Sequence, residues 1–286
     1  MRKEFVGMKE TKSNFLSLSL PIETTIGKIH SVFKTTFNVQ LKDQLVHFGS
    51  EGMPVSAHGC IISKEEMDAI LENGVPGDMV RYKDGRMTFY TRHQIVSVPF
   101  SSFKEIDLRI PFEPVSKKGL ESRLLYQKLN AFPFWENIGL PVDETVRKNI
   151  SALETLSETN EEELEEILAY FVGRGGGLTP SGDDFIVGFT MARKAFEKTD
   201  DWDAAVKAAL KIRSTTDISK AYYKAAFAGY VSELFCVLVR GLAWENEQEI
   251  NDLIELVRRY GHTSGTDTLF GFTTGLRSLI NEKREN

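Results

Sequence analysis

Between two stretches of helical periodicity the chain reads Gly173-Arg174-Gly175-Gly176-Gly177-Leu178-Thr179-Pro180-Ser181-Gly182-Asp183-Asp184. Four glycines within five residues let backbone N–H groups converge on a ligand with no Cβ in the way. Ser181 or Asp183 can cap the helix that follows. The positive end of that helix then faces the loop, which suits a phosphate or a carboxylate. Arg174 can add a bidentate, charge-assisted contact. A plain helix connection needs a single C-cap glycine, so a loop this costly in entropy reads as functional. It matches no common nucleotide motif. The Gly-Lys-Ser/Thr ending of a Walker loop is missing, and Gly173-Arg174-Gly175 lacks the spacing and the preceding strand of a dinucleotide fingerprint.

The pattern returns near the C-terminus as Gly261-His262-Thr263-Ser264-Gly265-Thr266-Asp267-Thr268-Leu269-Phe270-Gly271-Phe272-Thr273. With one gap at Pro180, Thr179 aligns with Thr263, Ser181-Gly182 with Ser264-Gly265, Asp184 with Asp267, and Gly188-Phe189-Thr190 with Gly271-Phe272-Thr273. This is an internal repeat, and it predicts a pseudo-twofold pair of loop–helix units facing one site. Gly188 and Gly271 would let two helices approach closely, despite a propensity cost of ~1 kcal/mol each. The alternative is a repeated packing motif with one working site or none.

Ser214-Thr215-Thr216-Asp217 is a third loop before a helix. Its residues are ordinary N-cap formers, and Thr216 is also a candidate wall of the site. Asp183, Asp184 and Asp267 are candidates for general base, acceptor from a substrate amide, or ligand of a divalent cation, and one of them is expected to be only a cap. No other cofactor is indicated. Carboxylates beside an anion repel it unless they hold a cation or a substrate N–H. His262, inside the second loop, can bind an anion, shuttle a proton or be structural. His30, His47, His58 and His93 are scattered and read as structural. Asp184, Asp267 and His262 are therefore the candidate catalytic residues. Arg174, Gly176, Gly177, Thr179, Ser181, Gly182, Asp183, Thr216, Thr263, Ser264 and Gly265 are the candidate binding residues.

The elements that must carry these loops divide in two. From about Gly27 to Phe112 the signals are β. His30–Phe37 is β-branched and aromatic. Met79–Tyr82 and Met87–Tyr90 flank Asp84-Gly85, a hairpin turn, and Ile95–Val98 is a further strand. One helix interrupts, with Ser63 and Glu66 as a capping box. After Pro114 the periodicity is helical, over Lys118–Ala131, Val142–Leu156, Asn160–Val172, Asp184–Glu197, Ala204–Ile212, Ile218–Leu242, Glu247–Tyr260 and Asp267–Asn281. The acidic run Glu161–Glu166 reads as a solvated helix start. The expected fold is α+β, with residues 1–114 a β-rich N-terminal domain. Residues 115–286 form an α-helical domain carrying both loop–helix anion sites.

Composition narrows the classes further. The 286 residues are 41% hydrophobic and 27% charged, with a formal net charge of −6, an ordinary globular balance with no overall field for nucleic acid. Two distant cysteines, Cys60 and Cys236, suit a reducing compartment. No signal peptide and no spanning apolar run is expected, which places the chain in the cytoplasm and off the membrane.

The run Gly177-Leu178-Thr179-Pro180-Ser181-Gly182-Asp183-Asp184-Phe185 resembles the signature of the AllH family, long catalogued as a domain of unknown function. The similarity extends to Thr215-Thr216-Asp217-Ile218-Ser219, to Gly261–Asp267 and to the strand-like residues His30–Asn38. The resemblance implies a subunit of oxamate carbamoyltransferase in purine and allantoin breakdown, working with an FdrA-like subunit and a further partner. It implies transfer of a carbamoyl group between phosphate and oxamate, with carbamoyl phosphate, phosphate, oxamate and oxalurate as small anionic ligands. Thr266 stands where the family pattern suggests an aromatic residue, and Thr263 where serine is usual, so the substrate stays open. Three other readings remain beside it: an anion-binding scaffold subunit whose partners hold the chemistry, a carboxylase-like enzyme, and a β-rich N-terminal half that docks another protein through unpaired strand edges.

Overall fold

The structure, a computed structural model, describes residues 15–17, 24–112, 115–156, 159–197 and 200–282. The chain divides into two compact units. One takes the described residues up to Arg109 together with Tyr230–Leu234; the other takes Ile110–Gly229 and Phe235 onward. The architecture is α+β.

The first unit is a nine-stranded sheet. Its strands are β1 (Phe15–Ser17), β2 (Thr25–Val32), β3 (Phe37–Leu41), β4 (Gln44–Ser50), β5 (Gly59–Ile62), β6 (Met79–Lys83), β7 (Arg86–Tyr90), β8 (Ile95–Pro99) and β9 (Lys104–Ile106). They lie in the order β8-β7-β6-β2-β3-β4-β5-β1-β9, antiparallel except for β4 with β5 and β1 with β9. The Asp84-Gly85 turn joins β6 to β7 with φ of 50° and 71° at its two residues, the left-handed pair that such a two-residue turn requires. Helix α1 (Lys64–Asn73) follows β5 and starts at the predicted capping box, with Ser63 and Glu66 bonding each other's backbone. Phe37 stacks on Phe48 at 4.6 Å, and both meet the edge of Phe89. Ile29, Val39, Val46, Ile70 and Val80 close the core around these rings.

The run His30–Phe37 is not one strand. It ends β2, turns where the N–H of Phe33 bonds the carbonyl of Thr36 at 2.8 Å, and begins β3. Pairing with two neighbours overrides the local β preference of Thr35 and Thr36, since propensity only describes fit to a pleated surface.

The second unit holds α2 (Leu124–Asn130), α3 (Glu144–Glu154), α4 (Glu161–Phe171), α5 (Ser181–Lys194), α6 (Asp200–Ile212), α7 (Asp217–Phe227), α9 (Glu247–Arg258) and α10 (Ser264–Asn281). Helix α8 (Glu233–Arg240) begins in the residues assigned to the first unit and continues in the second. Asp143, Asn160, Thr216 and Asn246 each cap a helix through their side chains. Two predicted helices are interrupted. Lys118–Ala131 breaks at Arg123, which is extended between a 3₁₀ turn and α2. Ile218–Leu242 breaks at Gly229, whose φ of +86° ends a helix. The four residues after Tyr230 run with it into the first unit. There the N–H of Val231 bonds Leu108, and Glu233 bonds Val55 through both backbone and side chain.

At the centre of the second unit α5 and α10 pack side by side with their N-termini at the same end. Almost every residue of both is buried. A Cβ on Gly188 would lie 2.1 Å from the carbonyl oxygen of Thr268, and one on Gly271 would lie 1.9 Å from that of Phe185. Gly188 aligns with Gly271 and Phe185 with Thr268, so these two contacts are mates under the pseudo-twofold of the repeat. Only glycine permits backbones this close.

Candidate functional site

The repeat sets how the two loops are held. Gly182 donates its N–H to the carbonyl of Arg174 at 2.8 Å, and Gly265 donates to Tyr260 at 2.9 Å. Where each would carry a Cβ sits a carbonyl oxygen, that of Phe171 at 2.0 Å and that of Val257 at 1.8 Å. These two glycines therefore pack each helix start against the helix before it. Within the first loop Gly173, Gly175 and Gly177 all have φ in the left-handed region. Gly175 presses on Ser181, while Gly176 and Gly177 are exposed with open space around them.

The two loops meet. The hydroxyls of Thr179 and Ser264 lie 2.9 Å apart. Ser181 and Thr263 converge from the other side on Gly139, where a Cβ would lie 2.4 Å from the Ser181 hydroxyl and 2.5 Å from that of Thr263. Between these hydroxyl pairs stand Asp184 and Asp267. Asp267 is fully buried. Its Oδ1 accepts the N–H of Gly139 at 2.8 Å. The hydroxyls of Ser181 and Thr263 lie close enough to influence the other end, yet no well-formed hydrogen bond reaches Oδ2. Asp184 is half-buried, with a buried Oδ2 that likewise has no hydrogen-bond partner.

Burial is the main reason both carboxyls titrate above the ordinary carboxylate range. For Asp184 it outweighs the Ser264 hydroxyl, and Asp267 adds like-charge repulsion. For Asp267 it outweighs the Gly139 N–H. Two carboxylates at one site without a cation raise each other's cost of ionisation. Groups shifted by burial together with a neighbouring charge are candidates for a functional site.

Asp183, the neighbour of Asp184, has a different fate. Its Oδ1 accepts the Gly173 N–H at 2.9 Å and the Tyr223 hydroxyl at 2.8 Å, and its Oδ2 accepts the Thr215 hydroxyl. It fastens the glycine loop to α7. Thr216 caps α7 by accepting from Ser219 at 3.0 Å and donates to the carbonyl of Leu178 at 2.6 Å, a second tie to the same loop. Thr266, which aligns with Asp183, is buried.

The guanidinium of Arg174 lies over the ring of Tyr170 at 4.0 Å and 3.3 Å from Asp143. Asp143 caps α3 through the N–H of Val146, the main reason its carboxyl titrates below the usual range. His262 is exposed, and no hydrogen bond, ion pair or ring contact reaches it among the described residues. No group of three or more His, Cys, Asp and Glu side chains among the described residues is placed to hold a metal ion. No helix among them is long and apolar enough to cross a membrane.

Gly139 was not among the residues singled out by sequence. It belongs to Phe132-Pro133-Phe134-Trp135-Glu136-Asn137-Ile138-Gly139-Leu140-Pro141. A lone glycine among apolar residues with prolines on both sides is a signal for a close backbone approach. Phe134 and Trp135 anchor this segment on Phe270 at 5.2 and 5.0 Å.

The fold and site define an α+β protein whose helical unit brings two glycine-rich helix N-termini together around a pair of buried carboxyls. The family model described as oxamate carbamoyltransferase subunit AllH matches residues 171–276, and that of the AllH family N-terminal domain matches residues 10–103. The chain belongs to the AllH family. No solved structure matches it.

Proposed function

We propose that this chain is a subunit of a carbamoyltransferase and holds its small anionic substrates, carbamoyl phosphate and oxamate, at the paired loops. The observation that carries this reading is the meeting of two helix N-termini, Gly-loop backbone and hydroxyl pairs around carboxyl oxygens that lack partners. A phosphate leaving group needs an anion clamp, and the oxyanion forming on the carbamoyl carbon needs donors that are already oriented. Gly176, Gly177, Thr179 and Ser181 supply the clamp, with Arg174 released from Tyr170 to join them. The amide nitrogen of oxamate attacks the carbamoyl carbon and the C–O bond to phosphate breaks. Asp184 orients the nitrogen and accepts its proton. Thr263, Ser264 and His262 border the dicarbonyl end. Asp183, Gly182, Gly265 and Thr216 keep the loops in shape.

On this reading the chain works with an FdrA-like subunit and a further partner in purine and allantoin nitrogen breakdown, in the cytoplasm. The test is carbamoyl transfer by the reassembled complex. Asp184→Ala is expected to lower turnover by roughly 10²-fold or more, the usual contribution of a placed acid–base group. Unchanged turnover would remove Asp184 from the mechanism. Carbamoyl phosphate at ~100 times its dissociation constant should stabilise the folded chain by about 2.7 kcal/mol, and Ser181→Ala should reduce that gain.

A further inference from the structure

The pseudo-twofold relates Asp184 to Asp267, yet their surroundings differ. Each stands at the same position in its helix, with a hydroxyl from its own repeat and one from the other beside it: Thr179 and Ser264 for Asp184, Thr263 and Ser181 for Asp267. Gly139 breaks the symmetry. It gives its N–H to Asp267 Oδ1, and it packs so closely that an added Cβ would lie 2.4 Å from the Ser181 hydroxyl and 2.5 Å from that of Thr263, forcing both side chains to shift. Asp267 is 0% exposed. On the Asp184 side the Thr179 and Ser264 hydroxyls bond each other. Oδ2 lacks a well-formed partner in both carboxyls, but Asp184 takes no backbone N–H from Gly139 and is only half-buried, whereas Asp267 is closed off.

We propose that the two halves of the repeat have divided their work. Asp184 is the specificity-determining carboxylate, which accepts an N–H from a primary amide at Oδ2 and turns away the isosteric acid. Asp267, closed under Gly139, is a positioning residue that holds the two helix starts together. This rests on the carbamoyltransferase reading and adds which end of an amide–acid substrate faces which half. An unsatisfied buried acceptor costs free energy that a ligand N–H recovers. Asp184 is ionised above its raised titration range, and binding is compared at such a pH. There an incoming carboxylate would set a second negative oxygen against it, with Asp267 close behind. A site built to bond an N–H discriminates strongly against an analogue that lacks it.

The test is calorimetric binding of oxamate and oxalate to the full chain and to the enzyme assembled with its partner subunits. The two ligands differ by an NH₂ in place of an oxygen. Oxamate is expected to bind at least ~30-fold tighter. Asp184→Asn should narrow that preference to within about 3-fold, since an asparagine offers both donor and acceptor. Asp267→Asn should keep both the preference and the oxamate affinity within about 3-fold, because its amide oxygen still accepts the Gly139 N–H. Gly139→Ala should weaken both ligands alike. Thermal unfolding establishes that each variant is folded. Equal binding of the two ligands, tighter binding of oxalate, or loss of the preference in Asp267→Asn rather than in Asp184→Asn would overturn the division of labour. If carbamoyl transfer persists in any of those cases, the proposed function survives without it. If neither ligand binds even the assembled enzyme, both fall.

Discussion

Asp183 and Asp184 are adjacent carboxylates with opposite surroundings. Three protein donors reach the first, while Oδ2 of the second has none. That difference carries a prediction for stability. Burial lifts the folded pKa of Asp184 well above the 3.8 of an ordinary aspartate. Between those two values the folded chain binds more protons than the unfolded one. Stability contributed by the protonated form is full below about 3.8 and declines as pH rises through the folded pKa. Denaturant unfolding followed from pH 4 to 8 should therefore show a loss on the alkaline side that is smaller in Asp184→Asn. A variant whose curve runs parallel to that of the native chain would mean that the carboxyl is not buried as described. Asp183→Asn should behave differently and destabilise at neutral pH, since an amide cannot accept at both oxygens the donors that the carboxylate satisfies.

At the scale of elements, the site exists because two parallel helices run almost in backbone contact. Parallel alignment puts two positive helix ends together, an arrangement that favours a shared negative ligand or carboxylate. Glycine at 188, 271 and 275 makes the approach possible; a Cβ on Gly275 would lie 2.7 Å from that of Ala192. Gly188→Ala must force the helices apart, because the obstructing atom is the backbone oxygen of Thr268 and cannot swing away. The expected cost is about 3 kcal/mol, at the upper end for overpacking, and anion binding should weaken with it because the loops separate. Gly176→Ala, on the exposed part of the loop with open space around it, should leave stability within about 0.5 kcal/mol while reducing anion affinity. Chemical denaturation and ligand titration on the same two variants separate the packing glycines from the ligand-facing ones. The helix interruptions matter at this scale too. Hydrophobic periodicity marks a face but is insensitive to a one-residue break such as Arg123, and Gly229 can be tolerated inside a helix until a left-handed φ is seen.

Over the whole molecule, the two units should respond to acid in opposite ways. In the first unit burial lowers His47 from 6.5 to about 4, and lowers His58 to about 3 with some help from His47. Below 6.5 the unfolded chain takes up protons that the folded unit refuses, so stability falls as pH drops through this range. For His47 alone the full loss is about 3 kcal/mol. The carboxyl pair of the second unit is shifted the other way, so its contribution grows as pH falls. Acidification from pH 7 to 5 should thus lower the unfolding temperature of the β unit relative to the helical one, and scanning calorimetry should resolve two transitions that diverge. His58→Gln should reduce the divergence and leave the part due to His47; transitions that move in parallel in the native chain would contradict the buried placement of these histidines.

Local chemistry was enough to reveal the loops, the repeat and several caps, but not the start of α5. Pro180 stands at its N-cap, and neither Ser181 nor Asp183 caps it through a side chain, Asp183 being drawn to Gly173, Thr215 and Tyr223. Glycine runs, N-cap residues at Ser63, Asn160 and Thr216, and the Asp84-Gly85 turn act through neighbouring atoms, so their meaning survives in a linear chain. The α+β character followed from two periodicities that the backbone geometry imposes. The repeat also predicts that the two loops meet, and the Thr179 and Ser264 hydroxyls do lie 2.9 Å apart. Beyond the meeting of the repeated loops, the chain alone could not show which contacts remote in sequence each group makes. That Asp183 is saturated while Asp184 is not depends on Tyr223 and Thr215, and that Asp267 is closed depends on Gly139, 128 positions away. The return of Tyr230–Leu234 to the sheet unit depends on partners at Leu108 and Val55. Residue type sets what a group can do, but burial and donor supply decide which of two equivalent groups does it, and those arise only when the chain has folded.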